Sequence, residues 1–157
     1  MIIQLDPTAI LYDKKFQLMC RCPYYKHPHG CPNYGKKAGC PPNQPLINEV
    51  FDFDRRIYVI YTEFDIGAHA DRMQRLHPQW SDHQTYCVLY WQPRARIFQR
   101  QEEARALKEY NLDYICRSPE AHGINITALM ARLGVVLEWP PRKITRLVSL
   151  GGCKIHN

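Results

Sequence analysis

The chain has 157 residues, 45% of them hydrophobic and 23% charged, which suits one folded domain over 1–157 and excludes a disordered chain. No stretch approaches the roughly 18 consecutive apolar residues of a membrane span, and the start MIIQLDPTAI has no basic segment or small-residue cleavage site, so a cytoplasmic protein without a membrane partner is expected. Twenty-one Lys and Arg against 15 Asp and Glu give a net charge of +6, which favours anionic small molecules or nucleic acid as partners.

In chain order, residues 19–45 come first as a segment rich in Cys, Pro, Gly, Tyr and His with neither helical nor strand periodicity, and they are expected to form an irregular loop. So long a loop needs an organiser other than side-chain packing, and a metal can serve. Residues 57–64 (IYVIYTEF) are β-branched and aromatic in the manner of a buried strand. A short helix is expected over 68–76. Ser81 and Gln84 have capping-box spacing and predict a long helix from there to about Tyr110, kinked at Pro93. A strand over 112–116 follows, then helical spacing of Ile126, Leu129, Met130 and Leu133, then strands over 134–139 and 144–150. Strands alternating with helices predict an α/β class, a small sheet with flanking helices. A hairpin joining the last two strands would make it α+β.

The loop carries the chemistry. Four of seven cysteines, Cys20, Cys22, Cys31 and Cys40, stand in the register C-x-C-x8-C-x8-C. An odd count in a reducing compartment is poorly explained by disulfides and better by a metal. Gly30 and Gly39 precede Cys31 and Cys40, and Pro23, Pro32, Pro41 and Pro42 follow ligands, so the chain can reverse around an ion without regular structure. Structural zinc favours closer C-x2-4-C pairs, although His27 and His29 can complete a mixed set. An iron–sulfur cluster, most simply 4Fe-4S, attaches each cysteine to a separate iron corner and suits the wide spacing better. Cys20 and Cys22 point to opposite sides of an extended chain, which leaves Cys20 or Cys116 as the fourth ligand. Cys87 reads as core, and Cys153 has no nearby partner in sequence.

The stretches Cys22…Gly30-Cys31-Pro32-Asn33-Tyr34-Gly35…Cys40-Pro41-Pro42 and Ser118-Pro119-Glu120-Ala121-His122-Gly123-Ile124-Asn125 resemble the two signatures of an uncharacterised family of small, cysteine-rich predicted metal-binding proteins of bacteria and archaea. The resemblance covers about a third of the chain and implies a metal, with no assigned activity. It carries Cys22, Cys31 and Cys40 over as ligands. Members have a further cysteine group before the second signature, where this chain has Cys116 alone, so a single centre is implied.

The second motif has its own reading: Ser118 and Pro119 start a short turn, and Gly123 ends it before Asn125 caps a helix. Glu120 and His122 are candidate acid/base or substrate-binding groups beside the metal, or simply a capping carboxylate and a turn residue. Lys36 and Lys37 are candidates for attracting an anionic substrate. The expected function is redox or sulfur-related chemistry on a small anionic molecule, or service as a subunit of a larger enzyme. The alternative is a zinc-stabilised nucleic-acid module using Tyr24, Tyr25 and Tyr34 among Lys26, Lys36 and Lys37. Trp139, before Pro140-Pro141, is the one tryptophan with a pocket-lining position in prospect.

Overall fold

The computed structural model describes residues 1–24 and 27–155. Its centre is a four-stranded sheet of β1 (Ile2–Leu5), β2 (Ile57–Asp65), β3 (Tyr114–Cys116) and β4 (Ile144–Gly152), in the order β1-β2-β4-β3. Every pairing is antiparallel, so the sheet with flanking helices takes the α+β arrangement. Five α-helices accompany it among the described residues: α1 (Lys14–Leu18), α2 (Ile66–Leu76), α3 (Asp82–Thr85), α4 (Val88–Glu109) and α5 (Ile126–Arg132). None is long and apolar enough to cross a membrane.

The β2 pattern shows how the sheet separates two sides. Ile57, Val59 and Tyr61 join Phe51, Ile47, Ile124, Met130 and Leu150 in the larger core, whereas Tyr58 and Ile60 pack with Ala106 of α4, Leu112 and Ile115. Alternate residues of a strand face opposite ways, and here both faces are covered. Phe51, Ile57, Val59 and Leu150 are fully buried, each contributing about 1.5–3 kcal/mol of transfer free energy. The cysteine loop leaves from α1, and the chain just before α1 pairs with the core turn, Tyr12 bridging to Ile124 and Asp13 N donating to Gly123 O at 2.9 Å, which puts the loop's start on the side that carries Ile124.

Two local expectations change. The capping box forms, with Ser81 N donating to Gln84 Oε1 at 3.0 Å, but α3 lasts one turn. Cys87 is extended, and the Tyr86 carbonyl accepts from the Trp91 indole at 3.2 Å. That indole replaces the helical bond which would have carried the chain through, so a new helix begins at Val88 and contains Pro93. Residues 134–139 do not join the sheet. Val135 and Leu137 pack on the core while Val136 is exposed, which keeps strand alternation to Leu137 in a surface segment without a ladder, and the exposure of Trp139 breaks it. Its hydrogen bonds go elsewhere, Val136 O accepting from Arg146 and the Glu138 carboxylate from the Arg142 and Lys143 N–H groups. The short β1 and α1 have too few residues for periodicity to reveal them.

Candidate functional site

The loop after α1 is held by backbone bonds between its own turns. Cys31 N donates to Cys20 O at 2.7 Å, Gly35 N to Pro41 O at 2.8 Å, and Cys40 N to Lys37 O at 3.0 Å. Gly30, Gly35 and Gly39 all have positive φ, the conformation that glycine adopts without steric cost. At Gly30 the requirement is also one of space, because a Cβ there would lie 2.6 Å from Cys20 O. The first reversal thereby presses Cys31 onto Cys20.

Cys20 belongs with the other three loop cysteines. Burial pushes its thiol up, and the charges of Cys31, Glu120, Cys40 and Cys22 add to the rise in that order, so these five groups share one neighbourhood. They do not share a point: among the described residues, no three Cys, His, Asp or Glu side chains are set to hold a single ion. Cys116 stands apart, buried in the main core. Desolvation pushes its thiol up to about 12, with Glu120 contributing and the Ser118 N–H opposing. In metal-free protein, alkylation near pH 8 should mark exposed Cys22 rapidly and spare Cys116 until the chain unfolds. Peptide mass spectrometry would read this, and rapid native labelling of Cys116 would contradict its protected state.

The second motif supplies one cleft group and one fastening. Glu120 lines a cleft of about 510 Å³ together with Cys20, Cys31, Tyr24 and Trp139. The carboxyl is accessible from the cleft, yet protein atoms displace enough water to push it above the ordinary range. His122 is turned inward and buried, with Nδ1 2.9 Å from Pro45 O. A carbonyl can only accept, so Nδ1 carries a proton and the ring fastens the loop's end to the turn. Gln17, which no sequence motif marks, does the same from α1, donating through Nε2 to Gln44 O and Ala121 O, each at 2.9 Å.

Lys36 lines a separate cleft of about 420 Å³ with Arg21, His27, His29, Cys31 and Tyr34. Lys37 is exposed outside it. Arg21, absent from the sequence-based candidates, lies over the Tyr34 ring at 5.9 Å. Tyr24 and His27 stack at 4.5 Å. Tyr25 and Lys26 lie outside the described residues. No protein-family model matches this chain, and comparisons with curated proteins and with solved structures find no significant match.

Proposed function

We propose that this protein holds one metal centre in the 19–45 loop, with Cys20, Cys22, Cys31 and Cys40 as ligands, and that the centre is an iron–sulfur cluster. The observation that carries this is a loop whose reversals are backbone-bonded at Cys20–Cys31 and Gly35–Pro41 and which sets Cys20 and Cys31 in the wall of one cleft, with Cys22 and Cys40 on the same short loop. The donor set fits. Four sulfurs suit iron or zinc, and thiols spread over a neighbourhood suit a cluster, whose irons are bound separately, better than the tetrahedron of one zinc ion.

Such a centre supplies electron transfer, or a Lewis-acidic iron where a thiolate is lacking. The chain's own residues do the rest. Arg21 and Lys36 give one approach to Cys31 a positive lining that attracts anions. Glu120 and the apolar side chains beside it give the other approach a drier wall. The role we propose for it is redox or sulfur-related chemistry on a small anionic molecule, alone or as a subunit of a larger enzyme, and the cationic lining beside Cys31 supports it.

The test is iron, acid-labile sulfide and zinc content of anaerobically purified protein, beside Cys22→Ser and Cys40→Ser. Iron and sulfide of about four per chain, reduced to background in both variants, is the expected result. Zinc at one per chain without sulfide would replace the cluster with the zinc-stabilised nucleic-acid module. That reading draws on one feature, the cationic cleft with Tyr34 beside it. Its own check is RNA binding that weakens steeply with salt.

A further inference from the structure

We propose that the cleft between the Glu120 turn and the Trp139 segment binds an organic cation with an apolar body, an alkyl- or arylammonium ion whose charge is met by Glu120. The inference rests on the metal reading for the ligand's role, because Cys20 and Cys31 form one wall, but not for its binding.

Charge sets the sign of the ligand. Two charged side chains line the cleft, Glu120 and Arg146. Arg146 is already occupied: its Nη2 is 2.6 Å and its Nε 2.9 Å from Glu63 Oε1, and Nη1 donates to Val136 O at 2.9 Å. Glu120 forms no ion pair among the described residues. The unmatched charge facing the space is therefore negative. A carboxylate or phosphate ligand would meet repulsion here, and a cation would find an acceptor.

The apolar lining sets the body. Trp139 is 73% exposed, Met19 54% and Tyr24 51%, and the first comes from a segment far in sequence from the other two yet rims the same opening. Single exposed hydrophobic side chains need no explanation, but three around a concave space with Phe16 and Leu137 beside them form a surface that an apolar ligand would cover. Aromatic faces next to a carboxylate also favour ammonium over neutral groups through cation–π attraction. The anionic substrate expected for Lys36 belongs to the neighbouring cationic cleft, not to this one.

The test titrates the purified protein with three ligands sharing a phenylethyl body: phenethylamine, 2-phenylethanol and 3-phenylpropionate. Trp139 fluorescence and calorimetry are the readouts, since Trp91 is buried and Trp80 is stacked between His77 and Tyr90. The amine should bind about tenfold more tightly than the alcohol, and the carboxylate should bind most weakly. Glu120→Gln should bring amine and alcohol to within about twofold of each other, while Trp139→Ala should weaken both and lower their ratio by no more than about twofold, the share of its cation–π contact. Equal binding of all three, an amine preference surviving in Glu120→Gln, or no binding of any would overturn the inference. Measuring metal on the same samples separates the two readings. Amine preference without iron or zinc would leave the cleft standing and the metal reading fallen, and metal without amine preference would do the reverse.

Discussion

Gly30→Ala should destabilise the protein by about 3 kcal/mol or more and should abolish metal binding at the centre proposed for the cysteine loop. Gly30 has φ +78, and a Cβ on it would lie 2.6 Å from Arg21 C, 2.6 Å from Cys20 O and 2.7 Å from Arg21 Cα. All three are backbone atoms, so no side chain can swing away to make room. Relieving the clash means parting the turn that carries Cys20 from the one that carries Cys31, which breaks the 2.7 Å bond between Cys31 N and Cys20 O. Gly39→Ala is the matched control. Gly39 also has positive φ, +86, but a Cβ there meets nothing within 4 Å, so its cost is that of the left-handed conformation alone, about 1 kcal/mol. Urea unfolding and metal content should thus separate two glycines that look alike in sequence. If both variants unfold at the same midpoint and retain equal metal, the close approach at Gly30 is not what closes the loop.

That pair also marks how far the sequence could be read. β2 was legible because a run of β-branched and aromatic residues has few other fates, and α5 because its apolar positions keep helical spacing. The loop was legible because glycine and proline exclude periodic structure. What the pattern could not carry was partnership. Alternation at 135–137 reports that Val135 and Leu137 face inward, which an isolated extended segment satisfies as well as a ladder does. At the break at 86–87 the Trp91 indole occupies the Tyr86 carbonyl, a contact with no local signature. At the site, the cysteine register marked the loop, of which the fold places Cys20 and Cys31 side by side. Glu120 and His122 were indistinguishable in sequence because two residues of one turn can face the cleft or the core, and only the packing turns His122 inward toward Pro45. Arg21 and Gln17 went unremarked since an arginine between two cysteines and a lone glutamine in a short helix match no motif.

Gln17→Leu should lower stability by about 2–4 kcal/mol, although the side chains are of similar size. Gln17 is 3% exposed, and its amide nitrogen donates both hydrogens, one to Gln44 O near the end of the cysteine loop and one to Ala121 O in the turn that carries Glu120. Leucine fills the volume and leaves two carbonyls without their donor, which costs more than the net worth of the bonds. Gln17→Glu should be at least as damaging, because a carboxylate at this depth offers acceptors to acceptors. Functionally, Gln17 and the His122–Pro45 contact are two fastenings between the loop's exit and the Glu120 turn. The loop's entry is closed separately, by Gly30 and the Cys31–Cys20 bond. Gln17→Leu is therefore expected to keep Cys20 and Cys31 together while loosening Glu120 relative to them, so the amine preference of the cleft should fall further than metal content does. Unfolding within about 0.5 kcal/mol of the parent protein would mean that water takes over both carbonyls and that the exit is held by His122 alone.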